Sequence, residues 1–472
     1  SSHFSSRARF PAISGAPFWS GRLLERRLTA CGAMPANGHG PTARGLRRLH
    51  LVCAALALAS VASWFDSWSL VQGAPEHHRR RTPPRALPGG CRRGGPGASP
   101  RLLGRPQAAA AATAARAGRP DGCLCKFGVI GDVQYADCDD GTDFHGIQPR
   151  RFRRTLELVR GAVHRWVVED RVDFAVQMGD LIDRRNVDMS QSSEALETAL
   201  QQFPSELPRL DLLGNHELYN FPRTDLAACG LQLVGEGIPG AVPGNAAAAR
   251  GEACYCHIPA DGRGGRWEVI VLDSYDVACI GYPEGHPKRA EAERLLAERN
   301  PRALLPEVDW FHELPEELHR FVPYNGGLGP DQLEWLRGRL AECMDAGRRA
   351  IILTHVPLME ASTTPKTVVW NSEEVLQVLR SADGRCIAGV IAGHDHDAGY
   401  AVDPVSGIHH VTCLSPLVCA PGSAQTGAAT VECYDGWAVV RGHGVFCVES
   451  GTRARGCQYE QIELSRADPR GW

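Results

Sequence analysis

The chain has 472 residues and a formal charge of −3, a near-neutral average that hides two unlike parts. Residues 1–120 carry 18 Arg, no Lys and three acidic residues (Glu25, Asp66, Glu76), so this leader holds +15 and the remainder −18. The acidic body, about 350 residues long, can bury one large core and gives no electrostatic reason to expect nucleic-acid binding.

Stretches of the leader such as "RRRTPPRALPGGCRRGGPGASP" bury too little apolar surface to offset chain entropy, so residues 1–120 are expected to be disordered. The exception is "LVCAALALASVASWF" (residues 51–65), which follows Arg47 and Arg48. Basic residues, an apolar run and small residues near Gly73 and Ala74 have the shape of a signal peptide. Asp66 cuts the run short of the ~20 residues a spanning helix wants. Residues 75–120, rich in Arg and Ala with almost no acid, resemble an organelle transit peptide. A secretory route or a plastid is the expected destination, with a cytoplasmic protein as the alternative, and no membrane anchor once the leader is removed. Of 17 cysteines, 14 follow residue 120, and none makes the paired C-x-x-C pattern of a structural zinc site. Buried thiols are the expectation, with disulfides left open if the leader exports the protein.

From Phe127 onward, apolar strands alternate with helical patterns. "FGVIGD" reads as a strand, and residues 151–169 place Leu156, Val159, Val163, Trp166 and Val167 near helical period. "VDFAVQMGD", "LDLLGNHE" and "WEVIVLDSYD" read as further strands. A helix over 331–343 carries Leu333, Leu336 and Leu340. "RAIILTHVP" is a strand, "NSEEVLQVLRSA" a helix with Asn371 as its cap, and "CIAGVIAGHDH" a strand. "AATVECYDGWAVVRGHG" predicts a hairpin turning at Asp435 and Gly436. Residues 223–265 and 281–328 look like long loops with local helical stretches, placed to shape the mouth of a site. The whole is an α/β fold, with one domain over 121–448 and a tail over 449–472.

Five of these strands end in polar residues of two kinds. The first delivers Asp132 and Gln134, the second Asp180 and Asp183, the third Asn215 and His216. Later strands end in His355, and in His394 and His396. Two divalent ions held 3.5–4 Å apart need a bridging carboxylate, with further oxygen and imidazole donors around each ion. Such N/O sites suit Mn, Fe, Zn or Co, Mg remains possible, and no Cys among the candidates argues against a thiolate site. Asp137 and Asp139 read as loop acids.

The order D-x-[HQ], G-D-x-x-D, G-N-H-[ED], a later His and G-H-x-H resembles the calcineurin-like metallophosphoesterases. "FGVIGDVQYAD", "GNHELYNF", "VLDSYDV", "FVPYNGGLGPDQLEWL" and "GHDHDAGY" are similar, more narrowly, to the manganese-dependent ADP-ribose/CDP-alcohol diphosphatases. The resemblance covers nearly all the body and none of the leader. It implies a β-sandwich of two mixed sheets flanked by helices, with a di-metal site at the strand C-terminal ends. Asp132, Gln134, Asp180 and His396 would hold one ion, and Asn215, His355 and His394 would join a bridging Asp180 on the other. A hydroxide bridging the ions would attack the pyrophosphate of a small nucleoside diphosphate substrate. His216 would protonate the leaving oxygen or steady the transition state, and Asp183 would orient that His or brace the loop. Tyr135, Tyr219, Tyr324, Asn325 and Gly326 are expected to line the substrate site. The segment "CLSPLVCAPG" lacks an acidic residue expected in this group, which bears on nucleotide preference. Cyclic nucleotides or monoesters are the alternative substrates, and a non-catalytic interaction module the alternative role.

Overall fold

The computed structural model describes residues 122–143, 146–249, 253–260, 265–306, 308–382, 386–449 and 458–465. The leader, with its apolar run at 51–65 and the targeting signals expected in it, lies outside them. No helix among the described residues is long and apolar enough to cross a membrane.

Near-continuous apolar runs make the central strands, because both faces of each are covered. Strands β1 (Cys125–Ile130), β2 (Phe174–Gln177) and β3 (Arg209–Asp211) run parallel in one sheet. The chain then builds a second sheet from β4 (Val242–Pro243), β5 (Cys256–Pro259), β6 (Trp267–Val271), β7 (Arg349–Leu353), β8 (Ile387–Ala392), β9 (Gly399–Val402) and β10 (His409–Thr412). In it β6, β7, β8 and β10 are parallel, with antiparallel strands at both edges. Strands β11 (Ala428–Cys433), β12 (Ala438–Gly442) and β13 (Gln461–Leu464) return to the first sheet as antiparallel partners. The orders are β13-β12-β11-β1-β2-β3 and β9-β10-β8-β7-β6-β5-β4.

Side chains of both sheets meet in one core: Phe127, Val129 and Phe174 from the first, Trp267, Val269, Ile351 and Val411 from the second. Phe127 and Phe174 stack at 5.1 Å. Helices α1 (Thr155–His164), α2 (Ser192–Leu200), α3 (Asn215–Asn220), α5 (Pro330–Asp345) and α6 (Ser372–Ser381) flank the sheets. Helix α4 (Pro287–Arg299) instead packs Ala292 and Leu296 in a separate cluster with Val277, Phe321 and Trp370. Val159, Leu196, Leu333, Leu336, Leu340 and Leu379 of the flanking helices pack against Ile130, Ile270, Ile352 and Val390. This is the expected sandwich of two mixed sheets flanked by helices.

Two local expectations are corrected and one is narrowed. Gln461–Leu464 is not tail but an edge strand, whose Ile462 and Leu464 are buried. Asn371 is the N-cap residue of α6, its carbonyl accepting from Glu374 N and Val375 N, but its side chain makes no capping bond; the amide bonds both backbone groups of Leu328 and the Glu374 carboxylate. Val167 is exposed, because after His164 the helix widens into π-type turns that rotate it outward. None of the described cysteines is disulfide-bonded.

Candidate metal centre

The parallel strands bring their C-terminal ends to one edge of the sandwich. Asp132 and Gln134 follow β1, Asp180 follows β2, and Asn215 follows β3 as the first residue of α3. His355 follows β7, and His394 and His396 follow β8. Four of these seven have left-handed backbone: Asp132 (φ 53°), Gln134 (45°), Asp180 (58°) and His394 (69°). Each such residue costs roughly 1–3 kcal/mol, and strain of this kind persists where surrounding structure fixes it for a purpose. The glycines of the three motifs have a matching role. A Cβ at Gly214 would fall 2.0 Å from Asp180 Oδ1, and one at Gly393 would fall 2.5 Å from Asp132 Oδ2. The ligand candidates pack directly on bare backbone.

Two groups converge, Asp180 with His355 and His394, and Asp132 with Asp180 and His396, so Asp180 belongs to both. His355 Nδ1 donates to the Met178 carbonyl at 2.8 Å, which turns its Nε2 lone pair inward, 3.6 Å from Asp180 Oδ1. His394 donates from Nε2 to Asn325 Oδ1 (2.8 Å), leaving Nδ1 to face His355 Nε2 at 3.2 Å. Two lone pairs aimed at each other repel, unless a cation lies where they converge. On the other side, Gln134 Nε2 donates to Asp180 Oδ2 (3.0 Å) and to His396 Nε2 (2.9 Å), while Gln134 Oε1 is buried with no hydrogen bond. The two ends of an amide have the same shape. A half-turn presents Oε1 to the same point, as a cation requires.

Electrostatics agree with this donor set. Burial, and then the Asp180 charge, raise the Asp132 carboxyl well above the usual range. Burial first holds His355, His394 and His396 below the ordinary imidazole range, in the neutral form that ligates. Among the described residues no Lys or Arg pairs with Asp132 or Asp180; their ion-pair partners are histidines. Crowded buried carboxylates beside neutral imidazoles fit two divalent cations.

His216 lies at the rim, partly exposed. Its Nδ1 accepts from Arg184 N (2.8 Å), so the neutral ring carries its proton on Nε2, 3.9 Å from Asp180 Oδ2. Asp183 Oδ2 sits 3.5 Å from His216 Nδ1, on the side away from Asp180. Glu217 has no role assigned from sequence, yet it is fully buried and ties two strand ends together. Its carboxylate accepts from Asp180 N, Leu181 N and Gly214 N at 2.6–2.9 Å, and burial with the Asp180 charge pushes its pKa up to about 8. Tyr275, from the "VLDSYDV" motif, donates from its hydroxyl toward Asn215 Oδ1 and the Tyr324 carbonyl, both at 3.1 Å.

The expected substrate-lining residues separate. Tyr219 is half-buried with its ring edge-on to His216 at 5.5 Å, and Tyr324 tilts over His394 at 5.8 Å. Trp310, unremarked in the sequence, lies 6.2 Å from the Tyr324 ring. Tyr135 is buried in the core. Asn325 and Gly326 do not line a substrate site. Asn325 is fully buried with its amide committed to His394, Arg320 and Lys366, and Gly326 packs against Ser274 and Tyr275. Neither His409 nor His410 reaches the centre: His409 bonds Tyr400 and Ser465, and His410 is buried without a partner.

Residues 125–398 match the family model described as calcineurin-like phosphoesterase. An Arabidopsis thaliana protein named manganese-dependent ADP-ribose/CDP-alcohol diphosphatase is 34% identical over 313 residues, 66% of this chain and 92% of its own. A Danio rerio protein of the same name is 34% identical over 322 residues, 67% of this chain and 95% of its own. The crystal structure of a dimetal phosphatase from Danio rerio superposes with a TM-score of 0.62 at 30% identity, covering 73% of this chain and 100% of that one.

Proposed function

The chain belongs to the calcineurin-like phosphoesterase family, and from that premise we propose that it hydrolyses the pyrophosphate bond of nucleoside diphosphate conjugates such as ADP-ribose or CDP-alcohols, with manganese as its working metal. The observation that carries the reading is Asp180, common to both ligand groups at the strand ends. Relatives bearing the diphosphatase name match over nearly their full length, which supports the substrate class.

In this reading Asp132, Gln134, Asp180 and His396 would hold one ion, and Asn215, His355 and His394 would join Asp180 on the other. Bound there, such ions would supply an activated water and draw charge from the phosphoryl oxygens. His216 directs its Nε2–H at the oxygen that leaves as the P–O–P bond breaks, and this hydrogen bond stabilises the negative charge that builds on the departing phosphate. Asp183 braces the loop that fixes this tautomer: its Oδ1 accepts from Arg185 N at 2.8 Å, next to the Arg184 N that donates to His216 Nδ1. Tyr219, Tyr324 and Trp310 form a half-open aromatic rim on which a nucleobase can stack.

Purified protein with Mn²⁺ is expected to release AMP from ADP-ribose and CMP from CDP-choline faster than it opens a cyclic nucleotide or cleaves a simple monoester. A parallel panel with Mg²⁺ tests the metal. Turnover of monoesters alone, in either metal, would place the chain in another branch of the family.

A further inference from the structure

His394 owes its orientation to a side chain from a distant loop. Asn325 lies 69 residues earlier in the chain and accepts from His394 Nε2 at 2.8 Å. Its Nδ2 donates to the carbonyls of Arg320 (2.9 Å) and Lys366 (2.8 Å), so every polar atom of the amide is engaged. The loop around it is tightly held. Gly326 runs so close to Ser274 that a Cβ would meet the Ser274 carbonyl oxygen at 2.3 Å, and Gly327 pairs with Val277 in both directions at 2.9 Å. The Tyr275 hydroxyl joins this loop to the centre a second time, touching both the Tyr324 carbonyl and Asn215.

Both contacts fall on one half of the centre. Asn325 orients His394, Tyr275 meets Asn215, and these two ligands belong to the same ion. The other half (Asp132, Gln134, His396) takes no bond from the side chain of Asn325 or Tyr275: Asp132 is held by the backbone N of His394, and Ser415 Oγ donates to the Asp132 carbonyl at 2.7 Å. We propose that Asn325, with the Tyr275 hydroxyl, is a positioning brace for the second ion alone, fixing His394 Nδ1 and Asn215 toward it. The proposal rests on the two-ion reading above.

The brace acts through ligand geometry, so its loss should separate the two ions. Asn325→Ala is expected to weaken binding of one Mn²⁺ by about 10- to 100-fold and leave the other unchanged. Titration with Mn²⁺ under electron paramagnetic resonance reads this directly. The wild type should fill to two ions with an exchange-coupled spectrum, and Asn325→Ala should stop at one ion with the six-line signal of isolated Mn²⁺. Asn325→Asp keeps an acceptor for His394 Nε2 but gives up both donors to the loop, and it is expected to restore the second ion. Tyr275→Phe removes a single hydroxyl from a filled site and should lower affinity for the same ion, a test that stands even if Asn325→Ala does not fold. Two ions bound at wild-type affinity in Asn325→Ala or Tyr275→Phe would overturn the proposal. So would loss of the second ion from Asn325→Asp as complete as from Asn325→Ala, since the loop rather than the His394 contact would then be responsible. A wild type that binds fewer than two ions counts against the two-ion reading itself.

Discussion

His216 shows how one backbone contact decides chemistry. Because Arg184 N donates to Nδ1, only Nε2 of the neutral ring holds a proton, and that atom faces Asp180. On the proposed reading this Nε2–H serves the leaving oxygen and binds no metal, so the two functions should be separable. His216→Ala is expected to lower kcat by about 10²- to 10⁴-fold while metal analysis still finds two ions per chain. Gln134 presents the complementary case. Its amide oxygen is a harder donor than imidazole nitrogen, so Gln134→His should shift activation from Mn²⁺ toward Zn²⁺ in a metal panel. Unchanged preference would mean that the amide is neutral in metal choice. These residues are legible in sequence because each directly follows an apolar strand. Glu217 and Tyr275 are not, since their partners (Asp180, Gly214, Asn215, Tyr324) come together only through packing between strand ends. Asn325 shows the same limit: its place in a glycine-rich loop suggests an opening for substrate, and only the fold reveals that it stands behind His394.

The turns that end β1, β2 and β8 work as single elements of strand, glycine and strained ligand, and the glycine that ends β3 packs on one of them. Gly214 is the sharpest case, where an added Cβ would displace the Asp180 carboxylate that both ion sites share. Gly214→Ala is therefore expected to abolish binding of both ions, in contrast to the one-ion loss from Asn325→Ala, and the same Mn²⁺ titration distinguishes them. The strands that carry the site were readable from their apolar runs. Two of the edge strands were not: β4 has two residues and β13 four, too few for a period to stand out. β13 nonetheless buries Ile462 and Leu464 against the sheet. Truncation after Glu449 should cost up to about 3–6 kcal/mol, from two buried aliphatic side chains at 1.5–3 kcal/mol each, measured by chemical denaturation. A truncated chain as stable as the full one would mean that this strand merely rests on the sheet.

Acid stability belongs to the molecule as a whole, and His410 offers a way to read it apart from the metal centre. In β10 it stands between Val390 and Ala401, which pack into the helix-side core, and both of its ring nitrogens are buried without hydrogen bonds. Burial lowers its pKa to about 4, and the charged groups acting on it are Asp403, Arg380 and His409, none of them a ligand candidate. The folded pKa thus lies below the unfolded value of about 6.5. Above pH 6.5 the ring is neutral in both states and contributes no pH dependence. Between 6.5 and 4 the unfolded chain binds a proton that the folded chain refuses, so stability falls as pH falls, by about 3 kcal/mol over the whole window. His410→Leu removes this proton and an unsatisfied buried imidazole together. Denaturation at pH 7 and pH 5, with saturating Mn²⁺, should show the wild type losing about 2 kcal/mol more than His410→Leu on acidification. Acid effects on the metal ligands are common to both proteins and cancel in that difference. Equal losses would mean that His410 is hydrated or partnered in solution, and that acid sensitivity arises at the metal centre.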